Sequence, residues 1–222
     1  MPRYVVAAPH GFCSAANPIR HCDRVANRAV DAIIAADTDR QISYVQLSDK
    51  LRMLNHDYNR PNTDDTPWRA RLRESIIAHH PDFVFEIHSF PGDHEMYRTR
   101  WPGATSTTSA DVALFKSDDN AEWIELLAAK IRERAPAGAI VRVVKPWHPV
   151  AITDDVAMIK KTRSECVNIM HALIEFNEVA ETTDTMARAV YSAVDDIVRS
   201  RIAAKKDSIF GGDSYTGKYV FD

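Results

Sequence analysis

The sequence has few cysteines and no long hydrophobic run. Its three cysteines, Cys13, Cys22 and Cys166, form an odd and sparse set that cannot supply a disulfide framework, so we expect a reducing compartment. No apolar stretch approaches the roughly 18 residues of a spanning helix, and we read no charged-then-apolar leader at the N-terminus. These features predict a cytoplasmic protein that does not enter the membrane.

The sequence also lacks a surplus of basic residues. Its formal net charge is −3, and its 28 lysines and arginines are scattered along the chain. We therefore expect no nucleic-acid or anionic-membrane partner. The 222 residues, of which 45% are hydrophobic, fit a single domain over 1–222, with a tail from about 205 to 222 that we expect to be loosely held.

Short β-branched runs alternate along the chain with segments of helical period. This alternation predicts a three-layer α/β/α fold with a mainly parallel mixed sheet, in which ligands bind beyond the carboxyl ends of the strands. No regular element is predicted between 145 and 170. The predicted strands are 3–8, 41–47, 82–88, 110–115, 139–144 and 171–176, and the predicted helices are 18–36, 67–80, 119–134 and 182–204.

Two ionisable side chains interrupt the most hydrophobic predicted strand. The run DFVFEIHSFPG at 82–92 reads as a buried strand, yet Glu86 and His88 lie on one of its faces at a period of two. Burying such groups is costly unless a partner compensates them. We therefore expect His88 to have a partner at the end of this strand.

The sequence offers two partners for His88. His10 ends the first strand and precedes Gly11, which lets the backbone turn closely. Asp23 lies beside the apolar stripe of the first predicted helix and should point toward the sheet. Two imidazoles and one carboxylate, with a fourth position open to water, make a catalytic zinc set. The sequence thus predicts a Zn²⁺ site at His10, Asp23 and His88.

Other interpretations of these residues stay open at this point. His10 could be an ordinary loop histidine whose hydrogen bonds are satisfied. Asp23 could form an ion pair with Arg60 or Arg69. Cys13, close to His10, could ligate a soft metal, although such a cysteine is more often a small packed residue.

Two further carboxylates are candidates for the same site. Glu86 could accept a hydrogen bond from a ligating imidazole, bind the metal itself, or pair with a loop arginine. Glu175 shares a strand face with His171 inside the apolar run HALIEF, which suggests a general base for a metal-activated water. The alternative for Glu175 is an exposed position at a strand end.

The polar loop NHDYNRP at 55–61 offers a substrate clamp. The planar guanidinium of Arg60 suits a substrate carboxylate by two parallel hydrogen bonds, and Asn59 could orient or bind the same group. The alternative is a structural arginine that caps a helix end. The charged residues of 64–74 are expected to form a solvated helix face.

The order of these motifs resembles that of the N-formylglutamate amidohydrolase-like family, over about residues 3–200. The resemblance implies a fold akin to the zinc carboxypeptidases and the phosphorylase/hydrolase-like proteins. It implies metal binding by His10 and His88 and by an acid that falls best on Asp23, a substrate clamp formed by Asn59 and Arg60, and Glu175 as catalytic base. The motifs are PHG at 9–11, Asp23, DYNRP at 57–61, EIHSFP at 86–91 and ALIEFNE at 172–178.

The expected function is a zinc-dependent amidohydrolase. Its substrate is expected to be a small carboxylate-bearing N-acyl amino acid, from which it removes a formyl group by cleaving a carbon–nitrogen bond other than a peptide bond. A zinc carboxypeptidase or a peptidoglycan-type amidase acting on a peptide would use the same residues. Outside enzymes, the chain could be a catalytically degenerate binding or structural module.

Overall fold

The computed structural model describes residues 3–10, 23–45, 67–92, 109–118, 120–144, 151–178 and 181–210. These residues form six strands and five α-helices, with a 3₁₀ turn at Ser164–Cys166. The strands are β1 (Tyr4–Ala7), β2 (Ile42–Val45), β3 (Phe83–Phe90), β4 (Val112–Phe115), β5 (Val141–Val144) and β6 (Met170–Asn177). The helices are α1 (Ala26–Ala36), α2 (Pro67–His79), α3 (Ile124–Arg134), α4 (Ala151–Thr162) and α5 (Thr183–Phe210).

The six strands form one mixed sheet in the order β2-β1-β3-β6-β4-β5. Strands β2, β1, β3 and β6 run parallel to one another, whereas β4 is antiparallel to β6 and parallel to β5. The carboxyl ends of β1, β3 and β6 therefore lie side by side along one edge. This arrangement confirms the predicted mainly parallel sheet.

Helices cover both faces of the sheet, which confirms the three-layer prediction. Phe85 and Ile87 of β3 are buried in a cluster with α1, α3 and α5. Val84 of β3 joins Val5 and Ala7 of β1 in a second cluster with α2 and α4. Since side chains alternate along a strand, the next even-numbered residues of β3 project toward the side of α2 and α4.

Several elements differ from the prediction. Helix α4 occupies a segment for which no element was predicted, and its residues Val156 and Ile159 are buried in the core. Helix α5 continues to Phe210, past the predicted end at 204, so part of the predicted loose tail is helical. Helix α1 begins at Ala26, after the predicted start.

A buried ion pair joins α2 to α4. Arg69 Nε lies 2.9 Å from Asp155 Oδ2, and Arg69 Nη2 lies 2.8 Å from Asp155 Oδ1. The two residues are only 2% and 5% exposed. The prediction of a solvated face over 64–74 is therefore wrong at Arg69. The alternative pairing of Asp23 with Arg69 is also wrong, since the Arg69 guanidinium binds Asp155.

Replacing Asp155 with alanine is expected to destabilise the protein by about 3–5 kcal/mol, because it leaves the Arg69 guanidinium buried without its carboxylate. Urea unfolding measures this loss. The double variant Arg69→Met, Asp155→Leu should recover most of it, since neither charge remains. Asp39→Ala, which breaks the exposed pair with Arg199, is the matched control and should change stability much less. An Asp155→Ala protein as stable as this control would contradict the prediction.

None of the described helices combines the length and the apolar character needed to cross a membrane.

Candidate metal centre

Three predicted ligands converge at the edge where the parallel strands end. His10 lies just beyond β1, His88 lies near the end of β3, and Asp23 lies on the segment that leads into α1. Each offers one ligand atom, and these atoms all lie within 4.8 Å of one another. The fold thus brings together side chains that are far apart in the sequence.

Asp23 lies in a turn before α1, whereas the sequence predicted that it would lie within the first helix. Its backbone N–H donates a hydrogen bond of 3.1 Å to the carbonyl of His10, and its own carbonyl accepts one of 3.3 Å from the N–H of Ala26. The first bond fixes Asp23 beside the end of β1, before the helical pattern of α1 begins. The residue is only 7% exposed, so its side chain faces inward as expected.

The Asp23 carboxylate lies between the two imidazoles. Its Oδ2 atom is 2.9 Å from Nδ1 of His88 and 3.7 Å from Nδ1 of His10. The two rings are close to perpendicular, with an interplanar angle of 77° and centroids 4.9 Å apart. Two ring nitrogens and one carboxylate oxygen therefore lie close enough together for one ion to be their common partner.

The donor set fits a zinc ion. Asp23 Oδ2 is buried and accepts no hydrogen bond from the described residues, although His88 Nδ1 is so near. Where Nδ1 carries a proton this contact is an ion pair; where it carries none, Nδ1 and Oδ2 are two acceptors 2.9 Å apart, which a shared cation would hold together. Tetrahedral zinc with bonds of about 2.0–2.1 Å spaces its ligands about 3.3–3.5 Å apart. The observed separations of 2.9 and 3.7 Å lie on either side of that spacing.

Glu86 lies on the other side of the His88 ring. Its Oε1 atom is 3.1 Å from His88 Nε2, and its Oε2 atom is 2.9 Å from Nε2 of His171. A neutral His88 that donates its Nε2 proton to Glu86 would present the lone pair of Nδ1 to Asp23 and His10. Glu86 thus occupies the position of an acceptor that would orient His88 if His88 bound a metal.

Charge in this region favours a cation. Burial by itself raises the pKa of Glu86, but the hydrogen bonds with His171 and His88 outweigh it and lower the pKa from 4.5 to about 2. Burial by itself lowers the pKa of His88, but Asp23 and Glu86, with Glu175 nearby, raise it well above 6.5. His88 is thus surrounded by negative carboxylates, which stabilise positive charge at this edge.

Glu175 lies next to His88 in the sheet. The two residues are in register across β3 and β6, and Glu175 faces Ala113 of β4 on its other side. Its side chain is half-buried, so the exposed strand-end alternative does not describe it. The predicted base thus stands on the face that carries Glu86 and His88.

Two residues that the sequence interpretation missed hold the Asp23 segment in place. Glu178 Oε1 accepts hydrogen bonds of 3.0 Å from the hydroxyl of Ser89 and of 3.0 Å from the backbone N–H of Arg24. Ser89 Oγ in turn accepts a bond of 3.4 Å from the N–H of Val25. Ser89 lies in the motif EIHSFP beside His88, and Glu178 lies in the motif ALIEFNE after Glu175. No hydrophobic period in the sequence marks either residue as a partner of the Asp23 segment.

The predicted substrate clamp lies outside the described residues. Asn59 and Arg60 belong to the segment 46–66, and Cys13 belongs to 11–22. The clamp, and the alternatives that involve Arg60 and Cys13, therefore remain predictions.

No family model and no curated protein matches this chain. Among solved structures, it is similar to a gene product of Agrobacterium tumefaciens, with 12% identity, 92% of each chain covered and a TM-score of 0.49. It is also similar to an N-acetylmuramoyl-L-alanine amidase of Nostoc punctiforme, with 11% identity, 88% of this chain and 97% of that chain covered, and a TM-score of 0.47. A pyrrolidone carboxyl peptidase of Thermococcus litoralis has 9% identity, with 93% of this chain and 96% of that chain covered and a TM-score of 0.48. Likeness of this degree carries no information about activity.

Proposed function

We propose that the protein is a zinc-dependent amide hydrolase. The observation that carries the proposal is the convergence of Asp23 Oδ2 with the imidazoles of His10 and His88, beside a half-buried glutamate. These three residues would hold the ion. Zinc bound there supplies a Lewis acid, which polarises a carbonyl and lowers the pKa of a water molecule.

Glu175 is the proposed general base and acid. As a carboxylate beside His88, it accepts a proton from the water that attacks the carbonyl carbon. It then donates that proton to the amide nitrogen, so the carbon–nitrogen bond breaks and the products are a carboxylic acid and an amine. Its partial burial excludes some of the bulk water that competes for this proton.

The proposed substrate is a small N-acyl amino acid, with an N-formyl amino acid as the first choice. This choice follows the resemblance to the N-formylglutamate amidohydrolase-like family, in which Arg60 and Asn59 would clamp the substrate carboxylate. The bond cleaved is then a non-peptide amide. The same carboxylates and imidazoles would also serve a carboxypeptidase or a peptidoglycan-type amidase.

A zinc assay followed by a substrate panel tests the proposal. The purified chain is expected to contain one zinc ion and to hydrolyse N-formylglutamate, and a chelator should abolish this activity until zinc is restored. The diamide of the same compound, in which both carboxylates are replaced by amides, is the matched control and should react much more slowly. Hydrolysis of acidic peptides or muramoyl peptides alone would assign the site to a peptide amidase. Absence of bound zinc with no turnover would favour a non-enzymatic module.

A further inference from the structure

We infer that His171 is a positioning residue of the metal centre, acting on His88 through Glu86. The inference rests on the proposed metal site and deepens it. It assigns a function to a buried histidine of β6 that the hydrolytic reaction itself does not use.

Three buried side chains form a continuous chain of hydrogen bonds. His171 Nε2 lies 2.9 Å from Glu86 Oε2, and Glu86 Oε1 lies 3.1 Å from His88 Nε2. The exposed fractions of His171, Glu86 and His88 are 2%, 0% and 3%. Each oxygen of the Glu86 carboxylate therefore has one imidazole partner, and neither partner is in contact with bulk water.

The two bonds fix the plane of the Glu86 carboxylate. With His88 as its sole donor, the group could rotate about its last side-chain bond and carry the His88 ring with it. The second bond, from His171, holds Oε1 in line with His88 Nε2. A fixed Nε2 in turn keeps Nδ1 of His88 directed at Asp23 Oδ2, 2.9 Å away.

His171 itself is remote from the reacting atoms. It precedes Glu175 by four residues on β6, which corresponds to about 13 Å along a strand. It also does not belong to the group formed by His10, Asp23 and His88. Its effect on metal binding must therefore pass through the carboxylate of Glu86.

Two substitutions of His171 in the full chain separate positioning from packing. In His171→Gln, the amide Nε2–H₂ group can still donate to Glu86, whereas His171→Leu offers no donor. We expect the leucine variant to bind zinc about tenfold more weakly in a chelator competition, within the roughly 10–100-fold range of partners behind metal ligands. The glutamine variant should stay within about threefold of the parent. The visible absorption of the Co²⁺-substituted protein should shift in the leucine variant and stay unchanged in the glutamine variant.

Asn120→Ala is the matched control for a general loss of stability. Asn120 is buried and holds the end of β4 through hydrogen bonds to Phe115 and Ser117, but it lies outside the metal group. It should lower stability without changing zinc affinity or the Co²⁺ spectrum. If the leucine variant does not fold, His171→Asn replaces it, because the shorter amide cannot reach Glu86.

The outcomes distinguish this inference from the proposed function. If the parent protein binds neither zinc nor Co²⁺, the metal site itself is refuted and the inference falls with it. If the parent binds both metals and the donor-free variant binds them equally well with the same spectrum, the positioning role alone is refuted. Equal weakening by Asn120→Ala would refute it as well, since the effect would then be one of stability.

Discussion

Glu175→Gln is expected to reduce turnover by about 10²–10⁴-fold while one zinc ion per chain remains bound. Glutamine has nearly the same shape as glutamate, but it cannot accept the proton of the attacking water. Glu175 lies in register with His88, outside the group formed by the three predicted ligands, so its neutralisation should leave the metal in place. Single-turnover kinetics and metal analysis of the same preparation measure the two effects.

The control for this prediction is Glu181→Gln, which makes the same chemical change at an exposed residue. It should keep the activity of the parent. A Glu175→Gln protein that retains more than about a tenth of the activity would remove Glu175 as the base. Loss of the zinc ion in that variant would instead place Glu175 among the ligands.

His88→Ala is expected to weaken zinc binding by at least about 100-fold and to abolish activity, because the substitution removes a ligand outright. It should also destabilise the metal-free protein by about 1–3 kcal/mol, since Glu86 is fully buried and loses one of its two hydrogen-bond partners. Zinc titration and urea unfolding of the apo-protein measure these two losses separately.

His10→Ala provides a contrast to this variant. His10 lies beyond the end of β1 and is less buried than His88, so its removal should weaken zinc binding with a smaller loss of stability. His79→Ala, in the last turn of α2, should change neither zinc binding nor activity. Zinc binding by His88→Ala at the affinity of the parent would show that the ion is held elsewhere.

The sequence predicts the layers of this protein well, because strand and helix periods are local properties. The alternation of β-branched runs with segments of helical period already indicates a sheet covered on both faces. Helix α4 is missed although two of its described apolar residues, Val156 and Ile159, lie three residues apart and are buried. Its place in the core depends also on the buried pair of Arg69 and Asp155, a contact across 86 residues.

Part of the candidate site is also predictable from the local sequence pattern. A histidine and a glutamate on one face of a buried strand imply partners, and the parallel topology implies that those partners come from neighbouring strand ends. The start of α1 is mispredicted because the hydrogen bond from Asp23 to His10 is a tertiary contact. The partners His171, in β6, and Glu178, just after it, are missed because their contacts reach residues more than 80 positions away.

The central claim is that His10, Asp23 and His88 bind one divalent ion, and anomalous diffraction at the zinc absorption edge tests it most directly. Crystals grown with zinc should show one strong peak within about 2.0–2.2 Å of a nitrogen of each imidazole and an oxygen of the carboxylate. A fully occupied zinc peak elsewhere in the molecule, or none at this edge of the sheet, would contradict the account.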